Sequence, residues 1–269
     1  MFPVKETIRK RKSTRTFDGR PLSAADREKI EKFITDVPNP FGTKVEFRML
    51  DAKEYDLSSP VIVGSDLYFA AKAKMDEGYE VGYGYSFEVA CLYAESIGVG
   101  TVMLAASISR KTFEKAMELK EGEGMPVASP VGYAAQKRAL RDAAMRKGLK
   151  ADKRVPFGEL FFDGTYGKAL DKEGAGAVGE ALEMVRWAPS AGNRQPWRVV
   201  VTGNAVHFFE NRSMGVTHFG DTQMVDMGIA LAHFDLTMQE EGRNGHFVKD
   251  APELDVPEDL IYIATYVED

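Results

Sequence analysis

The sequence has one cysteine, Cys91, in 269 residues. An internal disulfide is thereby excluded, and a reducing, cytoplasmic setting is expected. Cys91 lies in SFEVACLYAES, which reads as a buried thiol in a helix rather than half of a Cys/His catalytic pair. Histidine is also scarce. His207, His218, His233 and His246 lack the close spacing of a zinc motif, so no metal site is expected. No apolar run approaches the roughly 20 residues that span a bilayer. The opening MFPVKETIRKRK has charges but no apolar stretch behind them, so neither a membrane partner nor a signal peptide is expected. Positive charge is not in surplus either. The net charge of -6 argues against broad nucleic-acid affinity.

A hydrophobic fraction of 44% is ordinary for a chain with a real core. The charge is uneven. Residues 1–20 hold Lys5, Arg9, Lys10, Arg11, Lys12, Arg15 and Arg20 against Glu6 and Asp18, a net of +5, which leaves -11 on the rest. Such an island is either a solvated helix face or an anion site, and taken alone it favours the first.

The chain resembles itself at long range. GYGYSFEVACLYAESIG (82–98) aligns with DMGIALAHFDLTMQEEG (226–242) at an offset of 144, pairing Gly84 with Gly228, Leu92 with Leu236 and Gly98 with Gly242. Both read as long, buried helices that end at glycine. DREKIEKFITDVPNPFGTKVEFRML (26–50) aligns with VGEALEMVRWAPSAGNRQPWRVVV (178–201). Each is an amphipathic helix, a break containing Pro38 or Pro189, and a strand; Ser23 stands as the N-cap of the first helix. MPVASPVGY (125–133) and LIYIATYVE (260–268) read as closing strands. Three pairs in one order imply an α+β protein of two related halves, residues 1–148 and 157–269, with a connector over 149–156. The expected architecture is a pseudo-dimer around a central antiparallel sheet and long buried helices. FGELFF, just past the connector, would be costly to leave in water and is expected to dock on the core.

The halves differ in their polar groups. RKRKSTRTF (9–17) and, after the first closing strand, Lys137 and Arg138 have no counterpart in the second half. Conversely, the second break carries Ser190, Gly192, Asn193 and Gln195, where the first has PNPFGTK. Small residues admit a flat ligand closely, and Ser, Asn and Gln offer both donors and acceptors. A loop that only caps a strand would read the same. Together, the cations of one half and the polar loop of the other suit a ligand with a phosphate at one end and a polar ring at the other.

RKSTRTF (11–17) resembles the N-terminal phosphate motif of the nitroreductase family of flavin enzymes. APSAGNRQPWRVVV (188–201) resembles that family's second, flavin-contacting motif, and SIGVGTVMLAAS (96–107) its central helix end and strand. In ordinary nitroreductases the second motif follows the first after about thirty residues, and two subunits share each FMN. Here the good copy comes some 150 residues later, so the chain resembles the fused, duplicated branch, the TM1586-type nitroreductases.

The resemblance implies an FMN-dependent NAD(P)H oxidoreductase that reduces nitroaromatics, quinones or similar small-molecule acceptors by ping-pong hydride transfer. NADH or NADPH would be the donor. The alternative is a flavin-binding protein without turnover, a sensor or FMN carrier. Arg11, Lys12, Ser13 and Arg15 would hold the phosphate and ribityl chain, helped by Lys137 and Arg138. Pro189, Ser190 and Asn193 would contact the flavin, with Gln195 and Trp197 supporting the loop. Leu104, Ala105 and Ala106 would lie near the ring, their backbone N–H groups toward N5. No side-chain acid or base is implied. The fused chain would be a monomeric pseudo-dimer or a weak homodimer.

Overall fold

The computed structural model describes residues 2–269. The first half begins with helices α1 (Val4–Lys10) and α2 (Ala24–Ile34). Ser23 caps α2 as the sequence suggests, its Oγ accepting the Asp26 N–H at 3.1 Å. Then follow β1 (Val45–Asp51), α3 (Ala52–Tyr55), β2 (Leu67–Lys74), the long α4 (Tyr79–Ser96), β3 (Gly100–Thr101), α5 (Arg110–Ala116), β4 (Glu123–Gly124) and β5 (Ala128–Gly132). Helices α6 (Leu140–Gly148) and α7 (Phe157–Leu160) carry the chain across. The second half holds β6 (Phe161–Asp163), α8 (Gly179–Trp187), β7 (Trp197–Thr202), β8 (Ala205–Asn211), the long α9 (Thr222–Glu240), β9 (Gly245–Val248) and β10 (Leu260–Glu268).

The strands form two sheets, which corrects the expectation of one central sheet. The first runs β1–β2–β5–β3, with β4 on β2, and is antiparallel throughout. The second runs β6–β7–β8–β10–β9, antiparallel except for the parallel pair β6–β7. The reason lies in α4 and α9. Both helices are buried on nearly every side, so they occupy the centre and each must be covered by a sheet of its own. Without β4 and β6, the two sheets share one order. A β-hairpin pair precedes the long helix, the closing strand joins the second hairpin strand, and the strand after the long helix lies outermost.

Glycine sets the ends of the long helices. Gly78 opens α4 at φ +69, and Gly98 and Gly242 follow α4 and α9 at φ +82 and +72, a region open to glycine at no steric cost. Where the helices cross, Gly84 faces the Val225 carbonyl and Gly228 faces the Val81 carbonyl. Polar pins join them as well. Tyr85 Oη donates to Asp235 Oδ2 at 2.5 Å, and His233 Nε2 lies 2.8 Å from Glu88 Oε1. One continuous apolar core runs from α2 and the first sheet through α4 and α9 to the second sheet. The segment past the connector docks as expected: Leu160 and Phe161 are fully buried, and Phe157 packs edge-on against Phe161. Among the described residues, no helix is long and apolar enough to cross a membrane.

Candidate functional site

The basic island divides in two. Lys5 pairs with Glu241, Arg9 with Glu180 and Arg20 with Asp18, all at the surface, where such pairs contribute little. Helix α1 stops at Arg11, whose ψ of 131 turns the chain extended. In an extended run alternate side chains share a face, so Arg11, Ser13 and Arg15 point to one side. The run is pinned on β3, where the Thr14 N–H donates to Thr101 O at 2.9 Å. A Cβ on Gly100 would meet Thr14 Oγ1 at 2.7 Å, so only glycine lets the two segments approach this closely.

Arg11, Ser13 and Arg15 form one wall of a cavity of about 800 Å³, counting its open mouth. The opposite wall is Pro189–Gly192 from the second half. Glu88 and Cys91 from α4, and Thr222, Val225, Asp226 and Ile229 from α9, lie between them. Thr101–Met103, Ala105, Val127 and Leu149 complete the lining.

The first wall is strongly positive. Arg11 Nε is buried with no hydrogen-bond partner among the described residues. Its nearest anion, Glu88 Oε1, is 3.7 Å away and already engaged by His233. His233 is itself oriented by Nδ1, which donates to Met184 O at 2.9 Å. Arg15 stands 3.8 Å from the buried Asp142. Burial lowers the pKa of both Arg15 and Arg154, and neighbouring arginines lower it further: Arg146 and Arg11 act on Arg15, and Arg11, Arg186 and Arg146 on Arg154. Asp142 and Asp152 offset only part of this. Two guanidiniums in the wall, Arg11 and Arg15, with the charges of Arg146 and Arg154 nearby, make a site that an anion would relieve.

The second wall is a tightly wound loop. Gly192, Asn193 and Gln195 all have positive φ (59, 56 and 50). Ser190 Oγ accepts the Gln195 N–H at 2.8 Å. The Ala191 N–H donates to both carboxyl oxygens of Asp226, at 2.9 and 3.1 Å. Burial pushes the Asp226 carboxyl well above the usual carboxylate range, against the pull of that N–H. The backbone winding turns Asn193 and Gln195 away from the cavity and onto the connector. Asn193 Nδ2 donates to Lys150 O and Lys153 O, and Gln195 Oε1 accepts the Val155 N–H.

Of the expected site residues, the structure therefore brings together Arg11, Ser13, Arg15, Ala105, Pro189 and Ser190. Lys12 and Arg138 line an adjoining second cavity. Lys137 and Ala106 are exposed and line neither. Leu104 sits in the core, and its N–H is committed to Ala128 O at 2.8 Å, so it is not free to face a ligand. Trp197 is fully buried in β7. Sequence reading missed Glu88, Asp226, Arg146 and Arg154. For the first two a signal existed, because a carboxylate inside a helix that is largely apolar demands a partner. Among the described residues, no group of three His, Cys, Asp or Glu could hold a metal.

The sequence matches the family described as "Putative TM nitroreductase" over residues 3–238. The chain belongs to this family. This nitroreductase-family chain is similar in fold to a "putative nitroreductase" of Thermotoga maritima, with a TM-score of 0.64 at 24% identity, covering 98% of this chain and 92% of that one. It is also similar to a structure described as "the oxidoreductase containing FMN", with a TM-score of 0.52 at 15% identity, covering 62% of this chain and 94% of the other. No curated protein matches the sequence. Nitroreductase membership accounts for the α+β architecture and for an oxidoreductase class.

Proposed function

We propose that this nitroreductase is an FMN-dependent NAD(P)H oxidoreductase whose single flavin lies in the cavity between the two walls. The observation that carries the reading is Arg11 Nε, buried in the cavity wall without a hydrogen-bond partner and close to the guanidiniums of Arg15 and Arg154. The residues present fit the cofactor. Arg11, Ser13 and Arg15 would hold its phosphate, with Arg146 and Arg154 adding positive potential. Pro189, Ser190 and Ala105 would border its ring end, where the apolar Val225 and Ile229 offer a flat-sided slot.

Bound FMN would supply hydride acceptance and donation, chemistry that no side chain here provides. The chain's own part is orientation and exclusion of water. Asp226 holds Ala191 and with it the loop; Asn193 and Gln195 hold the connector against that loop. NADH or NADPH and a small oxidised acceptor, a nitroaromatic or a quinone, would use the same cavity in turn, which is ping-pong kinetics.

The same reading includes an internal duplication, with halves 1–148 and 157–269 and a connector over 149–156. It is supported by the shared strand order of the two sheets and by the reciprocal glycine contacts at the crossing of α4 and α9. One combination of walls is complete, so one chain would bind one flavin without needing a second subunit. The test is flavin titration of the purified chain followed by reduction. One FMN per chain, bleached by NADH or NADPH and reoxidised by an acceptor, is the expected result. Two FMN per chain would overturn the single-site reading. Flavin that only dithionite reduces would favour a carrier or sensor, and failure to bind any flavin would refute the proposal.

A further inference from the structure

Two carboxyl groups line the cavity between the walls, Glu88 on α4 and Asp226 on α9. Their surroundings differ. Glu88 Oε1 lies 2.8 Å from His233 Nε2 and 3.7 Å from Arg11 Nε. Asp226 has no such partner. We infer that Asp226 faces the cavity as a neutral carboxyl and donates its proton, as a hydrogen bond, to an acceptor atom on the edge of the bound flavin ring. The inference rests on the flavin reading above and adds a polar contact at its ring end.

Placement is the first support. Thr222 and Val225 stand one turn before Asp226 and Ile229, so all four share one face of α9, and that face lines the cavity. The loop assigned to the ring end touches the carboxyl directly. The Ala191 N–H reaches Oδ2 at 2.9 Å and Oδ1 at 3.1 Å. Among the described residues neither oxygen has another hydrogen-bond partner. The residue is only 4% exposed. An ionised carboxylate so placed would be costly, since one shared N–H replaces little of its hydration.

The charges around Asp226 are the second support. Burial opposes its ionisation most, and Asp221 at the start of α9 and Glu210 on β8 add to that. Arg212 is engaged by those two acids, and Glu80 of α4 accepts the Asp221 N–H. Arg11 and Arg15 line the far wall, and Arg194 ends the loop. Among the described residues, none of these cations forms an ion pair with Asp226; Arg11 and Arg15 face Glu88 and Asp142 instead.

A protonated carboxyl keeps one oxygen for the Ala191 N–H and has its O–H left over. No protein acceptor claims that proton among the described residues, so it is available to a ligand. A flat heterocycle with carbonyl oxygens or imine nitrogens at its edge supplies the acceptor. Such a bond strengthens as the ring gains electron density, because hydrogen-bond donation favours the more negative form.

Infrared difference spectra of the whole chain with isotopically labelled aspartate, taken against Asp226→Asn, isolate this one carboxyl. At neutral pH a protonated C=O band should be present in the FMN-bound chain, absent from Asp226→Asn, and displaced from its position in the flavin-free chain. Asp226→Ala should weaken FMN binding about tenfold, the worth of one hydrogen bond whose partner is left unsatisfied. It should also make the midpoint potential of bound FMN more negative. Asp226→Asn offers an N–H donor in the same place and still accepts from Ala191. It should bind FMN within about threefold of the unaltered chain, the low end of one hydrogen bond, and recover the potential. The potential separates a contact with the ring from an anchor for the loop, which would leave it unchanged. No protonated band, a band that FMN does not move, or an unaltered potential in Asp226→Ala would each overturn the inference. Should Asp226→Ala fail to fold, the infrared comparison decides alone. Failure of the unaltered chain to bind FMN would instead overturn the reading beneath it.

Discussion

Gly84 and Gly228, 144 residues apart, face each other where α4 crosses α9. A Cβ on Gly84 would lie 2.2 Å from Val225 O, and one on Gly228 would lie 2.0 Å from Val81 O and 3.0 Å from Gly84 Cα. Val81 and Val225 are themselves 144 apart, so the contact is reciprocal.

The atoms in the way are backbone, which cannot swing aside. Gly228→Ala and Gly84→Ala should each destabilise the fold by about 2–3 kcal/mol or more, through forced separation of the central helices. Thermal denaturation should show each melting roughly 4–12 °C lower, at about 2–4 °C per kcal/mol for a chain of this size. The two together should cost less than their sum, because the first substitution already parts the helices. Unchanged melting of both single variants would contradict the tight crossing.

Arg11 is the cation most committed to the cavity. Arg11→Ala should weaken FMN binding roughly tenfold to hundredfold, the worth of about 1.5–3 kcal/mol for a charged hydrogen bond. The fold should survive, since Glu88 keeps His233 as its partner. Flavin fluorescence titration measures the first effect and circular dichroism the second. Arg11→Lys should recover only part of the loss, because an ammonium does not reproduce the guanidinium's spread of donors.

Burial raises the Asp226 carboxyl above the ordinary value of an unfolded aspartate. The folded state thus holds a proton that the unfolded state releases. The associated stability is fully present below about pH 4, the unfolded value. It is lost as pH rises through the raised folded value. Asp226→Asn cannot ionise and keeps one oxygen for the Ala191 N–H. Its melting temperature should therefore decline less than that of the unaltered chain between acidic and neutral pH. Parallel pH profiles for the two proteins would show that Asp226 is ionised in the fold at no cost.

Asn193 ties the loop to the connector through Lys150 O and Lys153 O, in a left-handed conformation that asparagine tolerates better than alanine does. Asn193→Ala loses both bonds and adds strain, about 1–3 kcal/mol of local stability. The connector around residues 149–156 should then be cut faster by trypsin, whose Lys and Arg sites are dense there. Mass spectrometry of the early fragments would locate the cut. A first cut elsewhere at an unchanged rate would argue against the tether.

Much of the fold was legible because its signals are local. The apolar stretches ending at Gly98 and Gly242 are α4 and α9, and LIYIATYVE is β10 residue for residue. The cation motif and the polar break at Pro189 and Ser190 do meet across one cavity. The division of strands into two sheets was not legible, because pairing over more than fifty residues leaves no periodicity to read. Nor were the directions of Asn193 and Gln195. Three left-handed residues in four positions decide which way those side chains turn, and Asn and Gln do not announce such a conformation. Arg146, in α6, and Arg154, in the connector, reach Arg15 and Arg11 only through the tertiary packing, which no local pattern of the sequence announces.

The sequence by itself determined the helices α2, α4, α8 and α9 and the strands β1, β5, β7 and β10, since capping, apolar runs and motif spacing act over a few residues. The tertiary structure alone decided that the walls face one another, that Glu88 and Asp226 stand between them, and that Arg11 Nε is left buried without a hydrogen-bond partner. Those outcomes depend on how closely two helices can approach. At Gly84 and Gly228 that distance is set by the absence of two side chains, and its effect on a cavity far along the chain is visible only once the helices have packed.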